Sequence, residues 1–387
     1  MRRTLFTAEH EEFRQHCRGF FEKEIAPHAE EWEQTGMATR DAWRKAGDAG
    51  VLLWQAPEEH GGQGIVDFRY NYVVAEEFVA SGSVGLGLSL LNDIMAPYLT
   101  ELANEEQQRR WLPAAVAGES VWAIGMTEPG AGSDVKAIRT TAVRDGDDYV
   151  VNGSKTFITN GVLATHVLVV AKTEPSAGHR GVSLLVVEDG MPGFSRGRKL
   201  EKVGQLAQDT GELFFDDVRV PARNLVGEEN RGFYHLMANL PQERLGVATL
   251  AVASMRRAVE VTIDYVRERE VFGQPLGALQ NTRFELADCA TQVQAATAFV
   301  DAAVAAHCAG ELTAEDAAGL KQWTSDVQWN VTDRCVQLFG GYGYMREYEI
   351  NRLWRDARVQ RVYAGSNEVM KEIVGRSLGL ETSTRNR

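Results

Sequence analysis

The segment RVYAGSNEVMKEIVGR, residues 361–376, joins a short glycine-containing loop to a helical pattern. Gly365 permits backbone conformations that other residues avoid, and Ser366 is a suitable N-cap for the helix that follows. Backbone N–H groups at such a junction can donate hydrogen bonds to a ligand. Ala364 carries no acid, base or nucleophile. Chemistry at this loop therefore requires a proton-transfer group from elsewhere in the chain.

One carboxylate whose local position can be assessed is Glu243, in the segment NLPQERLGVA at residues 239–248. Pro241 fits the first position of a helix, so we expect Glu243 in the opening turn, where the helix dipole favours a carboxylate. Leu240 would then be the N-cap, and its side chain cannot complete a capping box. On these grounds Glu243 is either a general base or an ordinary acidic residue of a first turn.

Two other segments match catalytic motifs by letter only. The histidines of HEEFRQH, residues 10–16, are six positions apart rather than four, so a helix does not present them on one face as zinc ligands. GFSRG, residues 193–197, matches a nucleophile elbow, which needs a strand before the serine and a helix after it. Its surroundings predict a turn into another strand, which argues against a hydrolase.

Composition excludes several classes of partner. The formal net charge of −13 argues against nucleic acid, because phosphate backbones need a basic surface. The four cysteines are too scattered for a disulfide framework or a zinc site, which fits a cytoplasmic location and predicts no metal. No stretch approaches about 20 continuous apolar residues, so we expect no membrane span.

The residue pattern changes twice along the chain, which predicts three domains in an α+β fold. Apolar residues at three- and four-residue spacing predict an all-helical domain over 1–120. Short segments rich in β-branched and aromatic residues predict an antiparallel β-barrel domain over 121–225. Long helical patterns over 226–387 predict a four-helix bundle, which ends in a frayed tail at 381–387.

Three separated segments resemble the acyl-CoA dehydrogenases, flavoproteins that desaturate acyl thioesters. They are MTEPGAGSDV at 126–135, KTFITNG at 155–161, and QLFGGYGYMREYEINRLWRDARVQRVYAGSNEVMKEIVGR at 337–376. The resemblance covers nearly the whole chain, and its helix–barrel–helix order agrees with the order predicted above. It implies FAD as cofactor, an acyl-CoA or acyl-carrier thioester as substrate, and fatty-acid β-oxidation as the setting. The long-chain branch is the most similar, because NLPQERLGVA matches the segment that carries its catalytic glutamate.

The resemblance also implies which residues hold FAD. Phe157 would supply an aromatic wall where many relatives carry tryptophan. The other residues that would contact FAD from the same subunit are Met126, Thr127, Gly132, Ser133 and Thr159. Ser366 and Glu368 would be further cofactor contacts. The residues that would reach the FAD of a neighbouring subunit are Arg269, Phe272, Gln280, Gln337 and Gly341. Such sharing implies an obligate oligomer, and the resemblance implies a homotetramer as in the relatives.

The resemblance assigns the base to Glu243. Many members carry the catalytic glutamate at the position of Ala364, whereas the long-chain and isovaleryl branches carry it on a bundle helix. Glu243 would take the α-proton while a hydride leaves the β-carbon for flavin N5, which yields a trans-2-enoyl thioester. The backbone N–H of Ala364 and a ribityl hydroxyl would bind the thioester oxygen. Arg244 would orient this corner, and Glu368 is the nearest rival acid.

Three alternatives remain open. An acyl-CoA oxidase would let oxygen reach the reduced flavin, although such oxidases are usually longer. A flavin monooxygenase on the same scaffold would have no need of Glu243. A catalytically silent scaffold protein would account for Ala364 but not for Glu243. For the dehydrogenase an electron-transfer flavoprotein is the expected oxidant, by analogy alone.

Overall fold

The computed structural model describes residues 3–380, and its first third is helical. The predicted frayed tail, residues 381–387, lies outside the described residues. Side-chain caps fix where several helices begin, for example at Asp67, whose carboxylate accepts a hydrogen bond from the N–H of Arg69. The helices are α1 (Ala8–Phe20), α2 (Ala29–Thr35), α3 (Arg40–Asp48), α4 (Phe68–Ala80) and α5 (Glu105–Val116), with π-helical turns at Leu90–Met95 and Tyr98–Leu102.

The second group of elements is one β-sheet. Its strands are β1 (Trp122–Gly125), β2 (Thr141–Asp145), β3 (Asp148–Thr159), β4 (His166–Lys172), β5 (Val182–Glu188), β6 (Phe194–Lys199), β7 (Thr210–Pro221) and β8 (Leu225–Val226). The strand order is β6-β7-β3-β2-β4-β5-β8, and β1 pairs with β4. Most pairs are antiparallel as predicted, but β1 and β2 both pair with β4 in parallel. Ser195 lies within β6, so the strand prediction for GFSRG is confirmed and no nucleophile elbow forms.

The third group is a helical bundle with a small ribbon. Its helices are α6 (Gly232–Glu268), α7 (Gln280–Cys308), α8 (Ala314–Phe339), α9 (Glu349–Ala357) and α10 (Asn367–Ser377), and its ribbon strands are β9 (Glu270–Val271) and β10 (Gln274–Pro275). Helix α6 packs against α4, α7, α8 and α9, while α10 packs on α8. The α+β fold class is therefore confirmed. Within residues 3–380, no helix is both long enough and apolar enough to cross a membrane.

The start of α6 differs from the sequence prediction. The helix begins at Gly232, so Pro241 lies inside it and Glu243 is not in the opening turn. The first turn is already anchored, because Gly232 packs closely against the backbone of Ser183 in β5. A helix that is anchored before the proline can continue through it at the loss of one backbone hydrogen bond. The dipole argument for Glu243 is therefore wrong, and its environment must come from tertiary packing.

Candidate functional site

A cavity of about 1720 Å³ lies between the sheet, α4, α6 and the loop that precedes α10. That volume exceeds the range typical of single-ligand pockets, so the cavity has room for a flavin together with a substrate. Ten of the predicted site residues line it: Met126, Thr127, Gly132, Ser133, Phe157, Thr159, Glu243, Arg244, Ala364 and Ser366. The fold thus brings together residues that are more than two hundred positions apart in sequence.

The carboxyl group of Glu243 faces this cavity without a partner. It makes no hydrogen bond or ion pair with any residue that the structure describes. Burial raises its pKa to about 7, although the positive charges of Arg244 and Lys321 act in the opposite direction. The residue is half-buried, because one side of it faces the cavity. An unpaired carboxyl group with a pKa near neutrality is suited to general base catalysis.

Arg244, the next residue on α6, is also buried without an ion-pair partner among residues 3–380. Its side chain lines the cavity, only 5% of the residue is exposed, and Nε has no hydrogen-bond partner there. Burial lowers the pKa of its guanidinium, while the charge of Glu243 raises it. A buried cation without a hydrogen bond is unfavourable unless a ligand completes its environment. Its role in orienting this corner stays a prediction.

The loop before α10 lines the cavity and has an uncommon backbone conformation. Ala364 has φ = 53°, in the left-handed region that costs a non-glycine residue about 1–2 kcal/mol. Gly365 follows with φ = 87°. Ser366 is the N-cap of α10, as predicted, because its hydroxyl accepts a hydrogen bond from the N–H of Val369. The N–H of Ala364 makes no backbone hydrogen bond within the described chain, so it is available to a ligand.

Lys321 and Asn367 do not line the cavity but support the loop before α10, and no sequence motif marks them. Both are buried, and Lys321 Nζ donates to the carbonyl of Gly365 at 2.8 Å and to Oδ1 of Asn367 at 3.0 Å. The one feature of the sequence that could have indicated Lys321 is its place beside Leu320, within the buried face of α8. A charged residue inside an apolar helical stripe is rarely buried unless it is paired.

The surface predicted to hold the flavin, here called the flavin wall, is formed by the residues that follow β1 and by β3, and it is exposed. Phe157 is 69% exposed and has φ = 59°, because a β-bulge in β3 between Lys155 and Ile158 turns its ring out of the sheet. A Cβ added to Gly132 would meet no atom within 4 Å. The carbonyl of Thr127 accepts a hydrogen bond from the N–H of Thr156, which joins the loop to β3. These residues fit a flat aromatic cofactor.

A buried ion pair fixes the loop after β1. Lys155 Nζ donates to Glu128 Oε1 at 2.8 Å, to the carbonyl of Met126 at 3.1 Å and to the carbonyl of Val170 at 2.8 Å. Glu128 also accepts hydrogen bonds from the N–H and the hydroxyl of Thr140. Burial alone would raise the pKa of Glu128, but Lys155 and these bonds hold it below its usual value. The pair keeps the backbone of Met126 in place at the cavity wall.

The residues predicted to serve a neighbouring subunit lie away from the cavity. Arg269, Gln337 and Gly341 line a second pocket at the surface, where the Arg269 guanidinium lies over the ring of Tyr342 at 5.4 Å. Phe272 and Gln280 line neither pocket and are exposed. Glu368, predicted as a cofactor contact and as the rival acid, is also exposed and lines neither pocket, so the structure does not place it beside Glu243. A single chain therefore does not bring these residues to the site of Glu243.

Comparison with known proteins gives matches along nearly the whole chain. Family models match for "Acyl-CoA dehydrogenase, N-terminal domain" at residues 7–119, "middle domain" at 123–218 and "C-terminal domain" at 230–379. The pig (Sus scrofa) protein "Long-chain specific acyl-CoA dehydrogenase, mitochondrial" is 47% identical over 97% of this chain and 88% of its own.

Two solved structures have a similar fold. An acyl-CoA dehydrogenase from Geobacillus kaustophilus is 48% identical, with a TM-score of 0.94 over 96% of this chain and 98% of that one. An acyl-CoA dehydrogenase from Bacillus anthracis complexed with FAD is 30% identical, with a TM-score of 0.90 over 96% of this chain and 67% of that one. The similarity is therefore both in sequence and in fold.

Proposed function

The chain belongs to the acyl-CoA dehydrogenase family, an FAD-dependent family of oxidoreductases, and on that premise we propose that Glu243 is its catalytic base. The observation that carries this proposal is the unpaired carboxyl group of Glu243 in the cavity wall, with a pKa raised to about 7. Ala364 offers no acid at the position where many relatives of this family carry one. The two observations together support a base on α6.

Proton abstraction begins when the acyl thioester places its α-carbon beside Glu243. The carboxylate takes the α-proton, and the electron pair of that C–H bond becomes part of the new Cα=Cβ double bond. When bound, FAD supplies the acceptor for the hydride that leaves Cβ. A pKa near 7 brings the pKa of Glu243 closer to that of the weakly acidic α-proton, which makes the proton transfer less unfavourable.

The loop and the cavity walls support this step. The N–H of Ala364 donates to the thioester oxygen and stabilises the negative charge that develops there. Val74, Phe78 and Val247 give the cavity apolar walls, which exclude water once an acyl chain fills it. Met126, Thr127, Thr159 and the ring of Phe157 would hold the flavin on the other side of the substrate.

We also propose that FAD is shared between subunits of a homotetramer. Phe272 is 95% exposed with φ = 51°, an unfavourable place for an aromatic ring unless another chain covers it. Arg269, with its fixed charge and forked donors, suits a pyrophosphate. An electron-transfer flavoprotein as oxidant and a cytoplasmic location stay predictions.

The test of the proposed function is anaerobic flavin reduction by acyl-CoA. The purified holoenzyme should lose its flavin colour on mixing with a long-chain acyl-CoA, whereas Glu243→Gln should bind both FAD and acyl-CoA but remain coloured. Rapid oxygen consumption by the reduced wild-type protein would instead identify an oxidase. A wild-type protein that never loses its colour would favour the silent scaffold.

A further inference from the structure

We propose that Lys321 is a positioning residue that holds the Ala364 loop, and that its positive charge acts on Glu243 together with that of Arg244. The proposal rests on the function proposed above and extends it to a residue that contacts neither the substrate nor the flavin wall. Lys321 lies on α8, is 0% exposed, and its Nζ donates to the carbonyl of Gly365 at 2.8 Å. That carbonyl belongs to the residue that directly follows Ala364.

The hydrogen bond from Lys321 is the tether of a loop segment that has few other bonds. Among the described residues, neither Ala364 nor Gly365 donates a backbone hydrogen bond, and both have positive φ angles. Fixing the Gly365 carbonyl limits rotation of the peptide units on either side. The direction of the Ala364 N–H therefore depends on Lys321, and a donor must be well aimed to stabilise developing charge.

Asn367 connects the same lysine to the first turn of α10. Its Oδ1 accepts from Lys321 at 3.0 Å, and its Nδ2 donates to Ser325 Oγ at 2.9 Å and to Asp326 Oδ1 at 3.0 Å. These bonds join α10 to α8 just after the loop. The loop is thus held by Lys321 from within and by Asn367 at its end.

The charges around the base come from several elements. Glu243 faces the cations of Arg244 and Lys321, and the phenols of Tyr98 and Tyr363 are close enough for its charge to raise their pKa values. Lys321 in turn faces Arg244, Asp326, Glu368 and Arg361. Burial lowers the pKa of Lys321 to about 8, so it is still mainly protonated at pH 7. Loss of that charge would raise the pKa of Glu243.

Packing alone does not explain a lysine at this position. Its neighbours on the buried face of α8 include Ala317, Leu320 and Thr324, and an apolar side chain would fill the same space without a desolvated charge. The lysine supplies two things that an apolar residue cannot, which are a donor for the Gly365 carbonyl and a positive charge near Glu243. Each can be removed separately by substitution.

Three variants separate the two roles. Lys321→Met removes both the donor and the charge, Lys321→Gln keeps a donor but removes the charge, and Lys321→Arg keeps the charge. For each holoenzyme we measure the flavin content and the affinity for a 3-thia-acyl-CoA. We also measure the limiting rate of anaerobic flavin reduction from about pH 5.5 to about pH 9, a range that spans the pKa of about 7 of the base. The 3-thia-acyl-CoA can lose its α-proton but has no hydrogen at position 3 to transfer, so it reports binding and proton abstraction without turnover.

We expect Lys321→Met to retain its flavin, to reduce it about tenfold or more slowly at pH 7, and to require a higher pH for its maximal rate. Lys321→Gln should show the same shift to higher pH in the acid limb, which is the part of the pH–rate profile where the rate falls as the pH falls. Its loss of rate at high pH should be smaller. Lys321→Arg should keep the acid limb of the wild type. The control is Lys371→Met on the exposed face of α10, which should change neither quantity.

Two results would overturn the role of Lys321. One is a Lys321→Met enzyme with the rate and the acid limb of the wild type. The other is an equal loss in all three variants with an unmoved acid limb, which would mean that the lysine serves packing alone. Glu243→Gln is measured in parallel: if it reduces flavin at the wild-type rate, the proposed function itself fails, whatever the Lys321 variants do.

Discussion

The buried ion pair between Lys155 and Glu128 makes a strong prediction about the flavin wall. In the wild type, the Lys155 side chain is 0% exposed and that of Glu128 is 6% exposed. Lys155→Met removes three hydrogen bonds from Nζ and leaves a carboxylate buried without its counter-ion. Breaking one side of a buried pair typically costs about 3–5 kcal/mol, so we expect a loss of that size in the free energy of unfolding.

The assay is urea unfolding of the holoenzyme, followed by protein fluorescence and by release of flavin. Release should occur at a lower urea concentration in Lys155→Met, because the carbonyl of Met126 loses its donor at the cavity wall. Adding Glu128→Gln should recover at least about 1 kcal/mol, since the double variant no longer buries an uncompensated charge. The control is Lys172→Met, a half-buried lysine of β4 without an ion pair in the described part of the chain.

Two outcomes would refute this reasoning. A Lys155→Met enzyme that loses less than about 1 kcal/mol would mean that the pair contributes little beyond what an exposed pair does. A double variant less stable than the Lys155→Met single variant would mean that the hydrogen bonds from Arg139 and Thr140 stabilise the carboxylate without Lys155.

Three further predictions follow from the site. The rate of flavin reduction should fall about tenfold per pH unit below a pH of about 7, because only ionised Glu243 accepts a proton; a pH-independent rate down to pH 5 would contradict its role. Gly365→Ala should lower the free energy of unfolding by about 1–2 kcal/mol and slow flavin reduction, because φ is 87° and the new Cβ would lie 2.5 Å from Met370 Cε. The matched control is Gly375→Ala, because an added Cβ there would meet no atom within 4 Å. Phe272→Ala should yield smaller species in sedimentation and bind less FAD, whereas unchanged assembly and flavin content would argue against a shared cofactor.

Local patterns explain how much of the fold could be predicted. The strand at β6 followed from the residues around Ser195, and the helix after Ser366 followed from a capping side chain. Helix α9 was not foreseen, because it is short and Tyr348 gives it no side-chain cap. Pro241 was misleading, because helix α6 is anchored earlier by contacts with β5 that no local rule contains.

The candidate site was predictable only in part for the same reason. Glu243 could be proposed from its segment, but its raised pKa comes from burial in a cavity that distant segments build. Lys321 could not be proposed, because its partners are a backbone carbonyl and an amide more than forty residues away. The family resemblance was confirmed, whereas the individual roles of the site residues remain predictions.

The outward-turned ring of Phe157 has a consequence for the stability of the folded chain. The ring of Phe157 is 69% exposed on a strained bulge, so a flat ligand that covers it removes an apolar surface from water. A ligand that covers this surface stabilises the folded state in proportion to the logarithm of its concentration, by about 2.7 kcal/mol at one hundred times its Kd. The concentration of free cofactor would then set the stability of the folded chain as well as the fraction of chains that are active.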